Sequence, residues 1–206
     1  EKSKDIYRVP AKGGTPTRLT FHPGHETPMA VLQDGSILFS AAMQQDAQYG
    51  DFPGGSQIYR ISQEGGRPEH ITSLQIANIS VRPDNTIVYE DYKGYEDPWR
   101  KHHTSSVTHD LWVYTPAADA AGFGISAEGT FTQYTDFKGE DRNPQFSKDG
   151  SRVYYLSEQD GTFNIYTGTI DRNEKPQQLT FYKGNPVRHL SISQNDVLCY
   201  SYDGEL

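Results

Sequence analysis

The sequence predicts an all-β chain, a β-propeller of four-stranded antiparallel blades, and three observations carry that prediction. One phrase of strands and turns recurs along the 206 residues. Hairpin signals stand at matching places in each copy. No segment shows the 3.6-residue apolar period of a helix. Composition agrees. Hydrophobic residues make up 34% of the chain, below the roughly 45–50% of an average domain, while 14 Tyr and 31 Gly plus Pro suit short strands joined by turns.

The repeat is anchored by four dipeptides: Ile6-Tyr7, Ile58-Tyr59, Leu111-Trp112 and Ile165-Tyr166, spaced 52, 53 and 54 residues apart. Each follows Asp, Gln or Asn and opens an alternating run, as in "DIYRV", "QIYRI" and "DLWVY". A turn and a second short strand come next, ending in a Leu-Thr-like pair: "GGTPTRLTF", "GGRPEHITS", "EKPQQLTF" and the longer "GTFTQYTDF". Then come two alternating runs joined by Asp-Gly, Asp-Asn or Asn-Asp: "MAVLQDGSILFSA", "ISVRPDNTIVYED", "QFSKDGSRVYYLS" and "LSISQNDVLCYSY". One unit is therefore a hairpin, an "IY" strand and an "LT" strand. A lone sheet of this kind leaves both faces open to water, and stacking such sheets around an axis covers them.

Residues 1–206 are expected to form a single propeller domain or propeller fragment, in cycles of roughly 5–40, 41–91, 92–157 and 158–206. These make about four blade-equivalents, expected to be part of a six-bladed ring, whose open blade edges are possible sites of self-association. The opening "EKSKDIYRV" runs straight into strand-like sequence, as a cut or processed end does. A net charge of −8 argues against a nucleic-acid surface, and no apolar run is long enough for a membrane span. Cys199, in the alternation "VLCYSY", is expected to be a buried strand thiol.

Departures from the repeat mark candidate binding loops. Residues 42–56 form a Gln-, Asp- and Gly-rich insertion expected to be exposed, and residues 91–109 a longer one, "DYKGYEDPWRKHHTSSVTH". The second gathers Tyr92, Tyr95, Trp99, Arg100, Lys101, His102 and His103. Aromatics with Arg are the residue types of binding hot spots, and a basic patch in an acidic chain suits a carboxylate such as a peptide C-terminus. The bland alternative packs Trp99 on a neighbouring sheet and pairs Arg100 and Lys101 with Glu96 and Asp97. His102-His103 point to opposite faces if extended, so neither metal nor cofactor is expected. Glu26, Glu140, Asp141 and Arg142 are read as solvated loop charges near a channel mouth. No Gly-x-Ser-x-Gly elbow occurs, and no nucleophile, base and oxyanion hole come together, so no catalytic residue is assigned.

The phrases "DIYRVPAKGGTPTRLTF" and "NPQFSKDGSRVYYLSEQDGTFNIYTGTI" resemble the repeats of TolB and of tricorn-type proteases. The stretch "YEDYKGYEDPWRKHHTSSVTHDLWVY" is similar to the first propeller of bacterial tricorn-like serine peptidases. The resemblance spans essentially the whole chain. It implies a non-catalytic propeller of a peptidase whose catalytic residues lie in other segments. It also implies oligopeptides or the protease domains of a parent chain as partners. An exported or periplasmic setting is expected ahead of a cytoplasmic one. In archaeal tricorn, basic residues of a propeller hold the substrate C-terminus; the matching loop here reads "GHETP", without an Arg pair. The alternative is a TolB-like scaffold for protein–protein contact.

Overall fold

A computed structural model describes residues 4–43, 55–95, 97, 99–100 and 104–206. The described residues form sixteen strands in five antiparallel sheets, with no helix. They divide into two compact units, one reaching Ile76 and including Gly122–Ser126, the other holding Ala77–Ala121 and Ala127–Leu206.

In the first unit, β1 (Tyr7–Arg8) pairs with β2 (Thr17–Arg18). The strands β3 (Thr27–Val31), β4 (Ile37–Ala41), β5 (Gln57–Ile61) and β6 (Glu69–Thr72) form one sheet in chain order. Ile6 and Leu19 from the small sheet meet Phe39, Ala41, Tyr59 and Ile61 from the large one in a common core.

The second unit stacks three sheets. The first is β7 (Ile76–Val81), β8 (Ile87–Asp91), β9 (Leu111–Thr115) and β10 (Thr130–Gln133). The second is β11 (Asp141–Phe146), β12 (Arg152–Ser157), β13 (Asn164–Thr169) and β14 (Gln177–Gln178), and the third is β15 (Arg188–Ile192) with β16 (Leu198–Ser201). The middle sheet is covered on both faces. Val153, Tyr155 and Tyr166 pack against Val88, Leu111, Val113 and Tyr134, whereas Leu156, Phe163 and Ile165 pack against Val187 and Leu190. Because side chains alternate along a strand, one sequence feeds two cores. This explains why the middle sheet lacks the apolar–polar alternation of a one-sided sheet.

Each part of the repeated phrase has a physical task. In the hairpins, Gly35, Asn85, Gly150 and Asp196 hold left-handed φ values of 82°, 65°, 69° and 58°, the region open to Gly and tolerated by Asn and Asp. The Asp before three of these accepts the backbone N–H two residues on: Asp34 from Ser36, Asp84 from Thr86 and Asp149 from Ser151. The Leu-Thr pair stitches the outer strand to the "IY" strand. Leu19 N–H donates to the Ile6 carbonyl, and the Thr20 hydroxyl accepts from Ile6 N–H. Leu179 and Thr180 do the same for Ile165, and Tyr134 and Thr135 for Leu111. The hydroxyl replaces a ladder bond where the strands part, so the buried N–H is satisfied.

Cys199 corrects one expectation. It lies on β16 as the alternation requires, but it is exposed. Leu198 and Tyr200 take the face toward Tyr182 and the core, which turns the thiol to the other side of a two-stranded sheet.

Candidate functional site

The base of the 91–109 insertion is tied down by charge. Lys93 Nζ pairs with the carboxylates of Asp110 and Asp91, the latter at 3.3 Å, and donates to the Thr108 carbonyl at 2.9 Å. Asp91 also accepts from Asp110 N–H and from the Trp112 indole. From this clamp the chain projects Tyr95 and Trp99 outward, 79% and 71% exposed. Asp97 fixes the turn beyond it, its carboxylate accepting Trp99 N–H and its carbonyl accepting Arg100 N–H. Arg100 is exposed. Lys101, His102 and His103 lie outside the described residues.

The partner of Trp99 comes from another sheet. The Arg188 guanidinium, on β15, stands 4.5 Å from the Trp99 ring centroid, within cation–π range. Arg188 is held below the ordinary guanidinium range, first by burial and then by the nearby Arg142 charge, with Asp97 opposing. Arg142, on β11, lies over the Phe163 ring at 5.3 Å. The structure thus brings together Trp99, Arg142 and Arg188, which lie far apart in the sequence. Arg188 is the residue that sequence reasoning missed. It sits in "NPVRHLSIS", an unremarkable first strand, and the stacking partner that defines it is 89 positions away.

Behind this surface lies a buried ionic cluster, where solvated loop charges were expected. Glu90, His109, Glu140 and Asp141 are all buried. His109 Nδ1 is 2.6 Å from Glu90 and 3.6 Å from Glu140, and Arg142 reaches Glu140 at 2.5 Å. Glu90 also accepts from the Asn78 side chain and from Asn143 N–H. Two cations thus answer the two glutamates, which is the condition for burying such charge. Burial is the largest influence on His109 and opposes its charging, but the Glu90 and Glu140 carboxylates together outweigh it and the imidazole titrates above its usual value. Glu140 is raised by burial, with Arg142 opposing. Glu26 is likewise buried in the first unit, accepting from Thr20.

Asp141 stands apart from these pairs. It is 1% exposed, and burial pushes its carboxyl up to about 7. The Ser157 and Thr135 hydroxyls favour its ionised form, yet neither carboxylate oxygen has an aligned hydrogen bond. It lines a cavity of about 300 Å³ between the first two sheets of the second unit.

Comparison with known proteins places the fold. Residues 1–206 match the family described as the Tricorn protease N-terminal beta propeller domain. The Tricorn protease of Thermoplasma volcanium is 24% identical over 213 aligned positions, covering 98% of this chain and 18% of that protein. The crystal structure of the tricorn protease superposes with a TM-score of 0.68 at 18% identity, over 90% of this chain and 17% of that one. A putative TolB from Agrobacterium tumefaciens gives 0.69 at 18% identity, over 97% and 64%. The chain spans less than a fifth of the tricorn proteins that it matches. The four-stranded sheets are propeller blades, and the chain belongs to the family of Tricorn protease N-terminal β-propeller domains.

Proposed function

We propose that this chain is the non-catalytic propeller module of a tricorn-like peptidase and that it binds or guides oligopeptide substrates or products. The observation that carries the reading is the exposed Trp99 ring under the Arg188 guanidinium, with Arg142 beside it, in a chain of net charge −8. A planar cation flanked by an aromatic takes a carboxylate by charge-assisted hydrogen bonds and an adjoining apolar side chain by contact. Membership of the tricorn propeller family supports a peptide carboxylate as the ligand. Tyr95 and Arg100 extend the surface in this reading, and Lys101, His102 and His103 are further candidate contacts by sequence.

The test is fluorescence anisotropy with labelled peptides of six to ten residues, alongside hydrolysis of a fluorogenic peptide. Saturable binding that Trp99→Ala and Arg188→Ala each weaken, with no hydrolysis, is the expected result. Cleavage by the purified chain, or binding indifferent to both substitutions, contradicts it. A TolB-like scaffold is the second reading, favoured by the TolB likeness over 97% of the chain and by the exposed Tyr95 and Trp99. It requires capture of a folded protein partner, lost on Trp99→Ala, with no affinity for short peptides.

A further inference from the structure

The cavity between the first two sheets of the second unit has no part in the peptide surface. Its walls are Tyr134 and Tyr155, whose rings meet edge to face at 6.0 Å. Gly168 forms part of the wall because a Cβ there would come within 2.8 Å of the Tyr134 hydroxyl. At the rim Arg172 lies 3.9 Å from Asp136 and Arg152 reaches Glu174 at 3.4 Å, so each rim carboxylate has a cation of its own. Among the described residues, Asp141 is the lining carboxylate that has no ion pair with a cation.

We infer that this cavity binds a small protonated amine with an apolar body, its ammonium on the Asp141 carboxylate and its body against the wall that Tyr134 and Tyr155 form. Three observations support this. The carboxylate is almost wholly buried, and neither oxygen is taken by an aligned donor. A group in that state meets a strong energetic demand for a donor, and an ammonium supplies both donor and countercharge. The tyrosine faces add cation–π attraction that a neutral ligand lacks. The volume of about 300 Å³ sits at the small end of ligand cavities, so an amino-acid-sized molecule fits and a long peptide does not. Asp141 also shares the place in the repeat of Glu26, six residues after the stitching Thr. Glu26 receives the Thr20 hydroxyl at 3.2 Å, whereas Asp141 gets no such aligned bond from Thr135. The difference leaves Asp141 available to a ligand. The inference does not rest on the peptide reading.

Binding has a proton signature. The groups facing Asp141 are Tyr134 and Thr135 after β10, Asp110 before β9, Tyr155 and Ser157 on β12, Glu158 beyond it, and Tyr166 on β13. Tyr134 is raised to about 12, and Tyr155 and Tyr166 are raised further by burial, so all three stay neutral between pH 6 and 8. An ammonium that pairs with Asp141 then releases the carboxyl proton.

The experiment is calorimetric titration of the 206-residue chain with benzylamine at pH 7 in two buffers of different ionisation enthalpy, with benzyl alcohol as the neutral control. The expected result is saturable benzylamine binding with net proton release, since burial raises the Asp141 carboxyl and leaves part of it protonated at pH 7. Benzyl alcohol is expected to bind at least about tenfold more weakly, as is benzylamine to Asp141→Asn, because each loses a charge-assisted bond. Gly168→Val, whose Cβ would stand 2.8 Å from the Tyr134 hydroxyl and so disturbs that wall while leaving the carboxylate intact, is expected to weaken binding at least about tenfold. Equal binding of amine and alcohol, binding without proton release, or no benzylamine binding to the wild-type chain overturns the inference.

Discussion

Asp141 and His109 show how single buried groups set the chain's response to pH. An ordinary Asp titrates near 3.8, whereas Asp141 in the fold titrates at about 7. Its folded value is the higher one, so its favourable contribution is complete below about pH 4 and is lost as pH rises through 7. Asp141→Asn removes the burden of charging. The variant is expected to match wild type at pH 4 and to exceed it at pH 8 by up to about 4 kcal/mol, measured by urea denaturation at both values. His109 has the same sign: its folded value is raised, so its contribution is present below the unfolded value and fades as pH climbs past the folded one. His109→Ala leaves Glu90 and Glu140 with one cation fewer and is expected to cost about 3–5 kcal/mol at pH 6. A loss below about 1 kcal/mol means that the cluster is hydrated and not truly buried. Trp99 carries the opposite lesson. Its ring is largely in water, so Trp99→Ala is expected to change stability by less than about 0.5 kcal/mol while weakening peptide binding.

At the scale of elements, the hairpin turns and the Leu-Thr stitches make the repeat cooperative. Asn85 holds φ of 65° between β7 and β8. Asn85→Gly is expected to be neutral or mildly stabilising, and Asn85→Val to destabilise by about 1–2 kcal/mol, both by thermal unfolding. The stitches are tested by Thr135→Val, which leaves the Leu111 N–H without its acceptor and is expected to cost about 1–3 kcal/mol. These elements were the most legible part of the sequence. Turn chemistry and a two-residue period are local properties, and residues a few positions apart reveal them. The role of Thr in the Leu-Thr pair was not legible, because its hydroxyl acts on a strand some 14 to 24 residues away. Cys199 was misplaced for a related reason. Alternation marks the two faces of a strand, but which face is covered depends on the neighbouring sheet.

At the scale of the molecule, the candidate site was half legible. Its exposed aromatics stand in an insertion that breaks the repeat, and such a break is visible in one dimension. The cations opposite them are not. Arg142 and Arg188 belong to the first strands of different sheets, and only the stacking of those sheets brings them near one another and sets Arg188 against Trp99. Burial of Glu26, Glu140 and Asp141 was hidden for the same reason, since charge in a loop-like stretch reads as solvated until a partner strand closes over it. The central claim is that this surface holds a peptide by its terminal carboxylate and leaves it whole. One titration tests it most directly: two octapeptides identical except for a free or amidated C-terminus, each labelled at the N-terminus, added to the chain and followed by anisotropy, with mass spectrometry of the same samples. The account expects the free acid to bind at least about tenfold more tightly than the amide, the value of one charge-assisted bond, with both peptides recovered intact. Equal affinity for the two, or shortened peptide in the recovered sample, contradicts it.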